Sequence, residues 1–222
     1  MIYDYKYLPL SRNRDEAICA ICAGKRVLHL GATDSPFTME KLEGGLLLHQ
    51  RLAACCGELY GVDIDAKAIE YLREHGISNI DYFDMNQLGT LPFKPEVIVF
   101  GEIIEHLENL KLALGNLRSI MTENTKLVIS TPNMFYGMLF LNAFIKQREQ
   151  IHREHVVGFT YGSLKQLLEV NGFIIDEFHF TFLPRISENI NKRILKLICN
   201  MRPSIAETLL AVAKVAPEVK VT

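Results

Sequence analysis

The sequence predicts an α/β fold, a mostly parallel sheet with helices on both faces. Short apolar runs alternate with helix-like segments over residues 26–131. Continuous apolar runs are typical of strands buried on both faces of a parallel sheet, and strand–helix–strand repeats form right-handed crossovers. Four of these runs end at a small or acidic residue, namely Gly31, Asp63, Asp84 and Glu102. Open α/β sheets bind ligands beyond the carboxyl ends of such strands, so these residues predict a ligand site.

The elements up to residue 131 follow from helix caps and apolar runs taken in order. Asn13 is a good N-cap and Gly24 a good stop, which predicts a helix over 13–23. Asp65 and Gly76 bound another helix in the same way. The predicted strands span 26–30, 58–62, 79–83, 96–100 and 126–131. The helix bounded by Asp65 and Gly76 spans 66–75, and two further helices span 46–56 and 110–121.

The second half of the chain is less regular. Helical patterns span 134–147, 163–170 and 192–201, and strand patterns span 173–183 and 208–215. Because no repeat or low-complexity linker divides the chain, we expect a single domain over 1–222. The segment 134–160 interrupts the alternation of strands and helices, and we expect it to form a lid over the ligand site.

Composition and charge exclude several classes of protein. The 222 residues carry a net charge of −2, without the basic excess of a dedicated nucleic-acid binder. No apolar run is long enough to cross a bilayer, and residues 1–6 do not begin a secretory signal, so we expect a cytoplasmic protein. Cys19-Ala20-Ile21-Cys22 lies in a helical pattern, and we expect it to pack in the core rather than bind metal.

Three segments, in this order and spacing, resemble the class I S-adenosylmethionine-dependent methyltransferases. They are Gly61-Val62-Asp63-Ile64-Asp65, Gly101-Glu102-Ile103-Ile104-Glu105-His106-Leu107 and Ile129-Ser130-Thr131-Pro132-Asn133. A fourth stretch, from Phe159-Thr160 through Leu164 and Leu167-Leu168 to Asn171-Gly172-Phe173, matches the one before that family's sixth strand. The resemblance covers residues 24–216. It implies a Rossmann-like sheet of seven strands whose last strand is antiparallel, a position that 208–215 fits.

The resemblance also implies S-adenosylmethionine as the cofactor. Gly31 would let the backbone approach its methionine portion, and Asp63 would accept hydrogen bonds from the ribose hydroxyls. Asp84 would receive the adenine amino group, and Met85 would pack on the ring. Glu102 lies where the family places the methionine amine or the acceptor. The expected cofactor-binding residues are therefore Gly31, Ala32, Asp63, Ile64, Asp84, Met85 and Glu102.

The first motif of this chain departs from the family pattern. The family has an acid and then a glycine-rich turn, whereas this chain has His29 and then Gly31 followed by Ala32-Thr33-Asp34-Ser35. We expect the side chains of residues 33–35 to replace the lost backbone donors. The insertion 36–45 is expected to form part of the site wall. This departure keeps open a non-catalytic methyltransferase-like module that does not bind the cofactor.

Two histidines are the candidate catalytic residues. His106 and His155 lie where the family places its acceptor pocket, and a histidine there can take the acceptor's proton. We expect them to act without a metal. The alternative is a metal set of Glu102, Glu105, His106 and His155, which resembles that of small-RNA 3′-terminal 2′-O-methyltransferases.

The function that these observations predict is methyl transfer to an oxygen or nitrogen of a small-molecule acceptor, with the lid 134–160 on the acceptor side. We expect no nucleic-acid partner and no membrane partner. The strongly apolar stretch 134–145 is expected to be a buried helix or the face of a homodimer, rather than a surface that touches a membrane. The basic residues Lys192, Arg193, Lys196 and Arg202 are expected to form a solvated face.

Overall fold

The structure is a computed structural model that describes residues 2–5, 8–11, 13–149, 151–185 and 190–217. The strands are β1 (Leu10–Ser11), β2 (Arg26–Leu30), β3 (Glu58–Asp63), β4 (Ile80–Tyr82), β5 (Val97–Gly101), β6 (Lys126–Pro132), β7 (Phe173–Thr181) and β8 (Thr208–Val215). The helices are α1 (Arg14–Cys22), α2 (Thr38–Glu43), α3 (Leu48–Ala53), α4 (Ala66–Glu74), α5 (Leu110–Ile120), α6 (Gly137–Lys146), α7 (Tyr161–Val170) and α8 (Ile190–Cys199). Short 3₁₀ turns cover Met85–Thr90, Ile104–His106 and Pro203–Ile205.

All eight strands belong to one sheet, in the order β1-β7-β8-β6-β5-β2-β3-β4. Every neighbouring pair is parallel except those of β8, which is antiparallel to both β6 and β7. The predicted fold class is thereby confirmed, including the antiparallel last strand. The expected count of seven strands is wrong by one, because β1 adds two residues to the edge, pairing Leu10 with Phe180 and Ser11 with Thr181.

The central strands are buried on both faces, as their continuous apolar sequences predict. In β2, Leu28 belongs to a core that includes residues of α5 and α7, whereas its neighbour Val27 packs with α1 and α3. Successive side chains of a strand point to opposite faces of the sheet. Both faces therefore need apolar residues and a helical layer, and this is why no polar alternation interrupts the strands.

Helix caps decide where two of the helices begin. The Asn13 carboxamide oxygen accepts hydrogen bonds from the amides of Asp15 and Glu16, and the Asp65 carboxylate accepts from those of Lys67 and Ala68. Each cap satisfies amides that have no partner within the helix. The caps predicted from the sequence are therefore present at both helices.

The insertion 36–45 contains α2, a helix that the sequence analysis does not predict. A helix of six residues is too short for a hydrophobic period, so no local signal marks it. The predicted helix over 46–56 is also shorter in the structure, where α3 ends at Ala53. The amides of Cys55 and Cys56 turn back to the carbonyl of Leu52, which closes this end.

All five cysteines are free. Cys22 is fully buried in the core beneath α1, and Cys19 of the same helix is half-buried. The thiol of Cys22 lies beside that of Cys56, and the thiol of Cys19 beside that of Cys55. The Cys-x-x-Cys pair thus packs against the turn that follows α3, in line with the expected core position.

The helix α6 presents an apolar surface to solvent. Phe140 is 65% exposed and Phe144 is 75% exposed, and their rings stack 5.8 Å apart between centroids. The expectation of a buried helix is therefore wrong for this outer face. The neighbouring α8 carries the exposed Arg193, while Lys196 lies 5.1 Å over the ring of Phe182. Among the described residues, none of the helices has the length and apolarity required to span a membrane.

Candidate active site

A cavity of about 420 Å³ lies beyond the carboxyl ends of β2, β3, β4 and β5. Its volume falls within the roughly 300–1,000 Å³ of small-molecule pockets. The predicted site residues that line it are Gly31, Asp63, Ile64, Asp84, Met85 and His106. Three others, namely Ala32, Glu102 and His155, do not line it. Ala32 is fully buried beneath the turn, with its amide donating to the carbonyl of Val62.

Gly31 makes the turn that opens this cavity. Its φ is +67°, and its amide donates a 2.9 Å hydrogen bond to the carbonyl of Val62, so the ends of β2 and β3 stay joined. A Cβ at this position would lie 2.7 Å from Cδ1 of Ile103, which lines the cavity. The left-handed backbone and the missing side chain are both required here.

We expect Gly31→Ala to weaken binding of S-adenosylhomocysteine at least about tenfold, because the new methyl pushes Ile103 into the cavity. The left-handed backbone adds a loss of roughly 1–2 kcal/mol in stability. Gly76→Ala is the matched control, since Gly76 has φ +84° and a Cβ added there would meet nothing within 4 Å. The control should lose similar stability and keep its affinity in calorimetric titration; equal affinities for all three proteins would contradict the prediction.

The carboxylate of Asp63 holds the turn together. Oδ2 accepts from the amide of Thr33 at 3.0 Å and from its hydroxyl at 2.7 Å, and Oδ1 accepts from the amide of Asp65 at 3.0 Å. A carboxylate has about four acceptor positions. Three are occupied within the chain, so Asp63 can accept about one further hydrogen bond from a ligand without losing a partner.

The side chains of residues 33–35 are engaged within the protein. Thr33 donates to Asp63, Asp34 accepts from the Lys41 ammonium at 2.5 Å, and the Ser35 hydroxyl donates to Asp65 at 2.6 Å. The prediction that these side chains replace lost backbone donors toward the cofactor is therefore wrong. They build the turn itself. The insertion 36–45 contributes Lys41 to this network and no residue to the lining of the 420 Å³ cavity.

His29, in the place of the family's acid, forms a buried chain of hydrogen bonds. His29 and His49 are both buried, with their Nδ1 atoms 3.2 Å apart, and Nε2 of His49 lies 3.2 Å from Oδ1 of Asn79. Nδ2 of Asn79 donates to the carbonyl of Leu59. His49 must therefore donate from Nε2 and accept at Nδ1, and His29 must donate from Nδ1. Burial lowers the pKa of His29 well below its usual value and that of His49 to about 4.

Asp84 and Met85 follow β4 at the start of a 3₁₀ turn. The amide of Phe83 donates to the carbonyl of Asp63, which ties this turn to the end of β3. On the other side, the carboxamide of Asn116 on α5 donates to the carbonyl of Met85 at 3.2 Å. The wall that carries both predicted residues is thus fixed to the sheet and to a helix.

Glu102 is directed away from the cavity by its backbone. Its φ is +54°, and its amide donates to the carbonyl of Ser130 at 2.8 Å. Oε1 lies 3.5 Å from Nη1 of the buried Arg14, which also pairs with Asp15 at 2.7 Å. Burial raises the pKa of Glu102, and the charge of Arg14 opposes that shift. The strand-end rule places Glu102 near the cofactor, but its ion pair with α1 keeps it out of the lining.

Glu105 is a buried carboxyl behind the site. Its Oε2 accepts a 2.9 Å hydrogen bond from the hydroxyl of Thr131, whereas Oε1 is buried with no hydrogen-bond partner among the described residues. Burial raises the pKa of Glu105 to about 8, and the nearby charge of Glu102 adds to the shift. Its backbone carbonyl accepts hydrogen bonds from the amides of Val156 and Val157, which holds the end of the segment 134–160 here.

Three imidazoles meet beside the cavity. The ring of His106 lies 4.7 Å from that of His155 and 5.9 Å from that of His152, and the last two are 5.2 Å apart between centroids. Burial lowers the pKa of both His106 and His155. His106 and His155 are predicted from the sequence, whereas His152 is not. The three-residue spacing between His152 and His155 is a signal from which His152 could have been predicted. We refer to His106, His152 and His155 as the histidine cluster.

A second, larger cavity of about 800 Å³ lies between α6 and α8. Its lining is almost wholly apolar and includes Met134, Phe135, Leu139, Phe140, Leu195 and Ile198. Glu149 and Ser204 are its polar members. Ile151, which precedes His152 in the sequence, also lines it, so this cavity borders the segment that carries His152 and His155.

Comparison with known proteins identifies the kind of domain. Residues 9–177 match a family model described as a methyltransferase domain. No curated protein sequence matches the chain. A SAM-dependent methyltransferase from Archaeoglobus fulgidus is 23% identical over 90% of this chain and 94% of that chain, with a TM-score of 0.55.

Two further solved structures are similar in fold. The N-methyltransferase NodS from Bradyrhizobium japonicum WM9 is 16% identical over 92% of this chain and 93% of its own, with a TM-score of 0.53. The 1,6-didemethyltoxoflavin-N1-methyltransferase of Burkholderia thailandensis, with bound 1,6-didemethyltoxoflavin and S-adenosylhomocysteine, is 13% identical over 91% of this chain and 78% of its own, with a TM-score of 0.51. At these identities the likeness concerns the fold alone.

Proposed function

We propose, from the finding that this chain belongs to the family of methyltransferase domains, that it transfers the methyl group of S-adenosylmethionine to an oxygen or nitrogen of a small-molecule acceptor. The observation that carries the proposal is the 420 Å³ cavity at the carboxyl ends of β2 to β5. Gly31 lines one side of it, and the carboxylates of Asp63, at the end of β3, and of Asp84, after β4, line it as well.

The lining of this cavity suits S-adenosylmethionine in chemistry as well as in size. Asp63 and Asp84 are acceptors for ribose hydroxyls and an amino group, while Ile64 and Met85 offer apolar surface to a flat ring. The cofactor supplies an electrophilic methyl group on a positively charged sulfur when it is bound. The protein's part is to hold donor and acceptor in line and to exclude water.

The 800 Å³ cavity supports an acceptor with a large apolar body. Its walls come from α6 and α8, and they offer few polar atoms to a sugar. Because it borders the segment that carries His152 and His155, an acceptor seated there would bring its polar end toward His106 and His155. Apolar pockets with a few placed polar groups are typical of small-molecule sites.

His106 and His155 are the residues that we assign to the acceptor. His106 lines the cofactor cavity, and the ring of His155 lies 4.7 Å from that of His106 between centroids. A neutral imidazole there can accept a hydrogen bond from the acceptor's hydroxyl or amine. The same nitrogen can take the proton as the methyl group transfers.

The metal set of two glutamates and two histidines is less well supported. Glu102 is held by Arg14, and Oε1 of Glu105 is 4.0 Å from Nε2 of His155. These two carboxyls and the imidazoles therefore do not converge on one point in the described residues. A small-molecule acceptor remains the function that the geometry favours over an RNA terminus.

Calorimetric titration with S-adenosylhomocysteine, followed by a methyl-transfer screen, tests the proposal. We expect one cofactor per chain. In the screen, phenolic, polyketide-like and quinone-precursor acceptors should gain one methyl group by mass, whereas sugars and RNA should not. Failure to bind the cofactor would contradict the proposal and favour a non-catalytic module. If only RNA ends are methylated, the acceptor is RNA and not a small molecule.

We expect segment 134–160 to exchange amide hydrogens faster than the rest of the described chain and to slow when S-adenosylhomocysteine and acceptor bind. The reason is that α6 exposes most of its surface and the following loop ends at a few docked amides, such as those of Val156 and Val157. Peptides of β6 serve as the protected control. Strong, unchanged protection of 134–160 in both states would mean that it is a fixed part of the scaffold.

A further inference from the structure

The histidine cluster has the composition of a metal site. One ring nitrogen from each of His106, His152 and His155 lies within 4.8 Å of the other two. No other group of three or more His, Cys, Asp or Glu side chains converges in this way in the part of the chain that the structure describes.

The groups next to the histidine cluster are of the kind that surround the ligands of a bound metal ion. Oε1 of Glu105, which has no hydrogen-bond partner among the described residues, lies 4.0 Å from Nε2 of His155. The backbone carbonyl of Glu154 lies beside the ring of His106. Metal-binding histidines typically donate the second ring N–H to a carboxylate or a carbonyl, which orients the ring. Each of these two imidazoles has such an acceptor nearby.

We propose that His106, His152 and His155 bind one zinc-like divalent ion beside the cofactor cavity, with a fourth coordination position open toward the acceptor. Three nitrogen ligands favour Zn²⁺ and its neighbours in the first transition row over Mg²⁺ or Ca²⁺, which prefer oxygen. Three protein ligands and one open position are the pattern of catalytic zinc sites.

The geometry requires a modest closure of the loop that carries His152. At Zn–N distances of 2.0–2.1 Å, ligand nitrogens in a tetrahedral site are roughly 3.3 Å apart. The present spread of up to 4.8 Å must therefore shrink by about 1.5 Å. His152 is exposed, and its Nδ1 accepts only a long 3.5 Å hydrogen bond from the amide of Glu154, so it can move at small cost.

What the ion does rests on the proposed function, whereas its binding does not. An acceptor hydroxyl at the fourth position would bind through its oxygen and lose its proton to solvent, because the ion lowers the pKa of a coordinated O–H group. The oxygen would then attack the methyl carbon, and the carbon–sulfur bond would break to leave a neutral thioether. In this form His106 and His155 act as ligands and no longer as bases.

Competition titration of Zn²⁺ against a chromophoric chelator, with tag-free protein and no donor or acceptor, measures the binding. We expect one ion per chain. His152→Asn should weaken the affinity for Zn²⁺ at least about tenfold. Even the loss of a residue that only hydrogen-bonds to a metal ligand weakens metal binding roughly 10–100-fold. His75→Asn is the matched control, because His75 is exposed at the end of α4 and its Nδ1 is bonded to the backbone carbonyl of Tyr71.

Cobalt substitution separates the histidine cluster from the thiols of Cys19, Cys22, Cys55 and Cys56. We expect the Co²⁺ protein to lack a thiolate charge-transfer band, and His152→Cys to restore tight binding and to add that band. Binding that persists in His152→Asn, or a thiolate band in the unmutated protein, would overturn the proposal. If the ion binds but S-adenosylhomocysteine does not, the proposed function fails alone. If the cofactor binds in the presence of chelator and no ion binds, the metal site fails alone.

Discussion

Lowering the pH from 6.5 to 4 should reduce the free energy of unfolding by on the order of 3 kcal/mol through the buried His29–His49 pair. Burial holds the pKa of His49 at about 4, and that of His29 well below its usual value, whereas both return to about 6.5 in the unfolded chain. Between these values the unfolded chain binds more protons, so stability rises with pH. The contribution is complete above pH 6.5 and is lost as the pH falls toward 4.

The groups around the pair act in both directions, and burial outweighs those that favour protonation. The charges of Arg14 and Lys41 disfavour a proton on His29, and only Asp34 and the hydrogen bond with Asn79 favour one on His49. A second proton between two Nδ1 atoms 3.2 Å apart would also break the hydrogen bond that joins them. Protonation of His49 at Nδ1 therefore requires the two rings to separate.

Urea unfolding measured between pH 7 and pH 4.5 checks this expectation. His49→Leu removes one titrating group, so its stability should be lower at pH 7 but should fall less steeply with acid. His75→Asn, which replaces an exposed histidine at the end of α4, should follow the unmutated protein at every pH. Parallel curves for all three proteins would show that the buried pair is not the source of the acid sensitivity.

The second large effect is expected from Asp63→Ala, which should weaken binding of S-adenosylhomocysteine about 10- to 100-fold. The substitution removes the acceptor that we assign to the ribose and also leaves the amide and hydroxyl of Thr33 and the amide of Asp65 without their partner. Each polar group left without a partner costs roughly 1–3 kcal/mol, less where water can reach it. The turn at Gly31 should therefore loosen even before the cofactor arrives.

Asp65→Ala provides the control for that loss. It removes the N-cap of α4 and the contact with Ser35, at a cost of about 1 kcal/mol in stability, and leaves Asp63 in place. Calorimetry should find its affinity within a few-fold of the unmutated protein. An Asp63→Ala protein that binds as tightly as Asp65→Ala would remove Asp63 from the site.

The sheet could be predicted from the sequence because burial on both faces leaves a continuous apolar signal in β2, β3, β5 and β6. The ends of β2, β3, β4 and β5 also placed six of the nine predicted site residues on the cavity, since parallel strands bring their carboxyl ends to one edge. Helix caps at Asn13 and Asp65 added local signals that no tertiary contact overrides.

What could not be predicted depends on contacts between distant residues. Glu102 leaves the cavity because its left-handed backbone and its ion pair with Arg14 turn it toward α1. His29 is accommodated by His49, which arrives from a helix whose position no local pattern reveals. His152 meets His106 through the fold of an irregular loop, and only its three-residue spacing from His155 marks it in the sequence.

The position of β8 has a consequence for the order of folding. This strand follows all the others in sequence, yet it pairs with β6 on one side and β7 on the other. During synthesis, β6, with its buried apolar run of Leu127, Val128 and Ile129, must wait with one edge unpaired until β8 emerges. Such an edge invites pairing with other chains, so the nascent protein should be most prone to aggregate in that interval. Slower translation just before residue 208 would lengthen this exposure and lower the yield of folded protein.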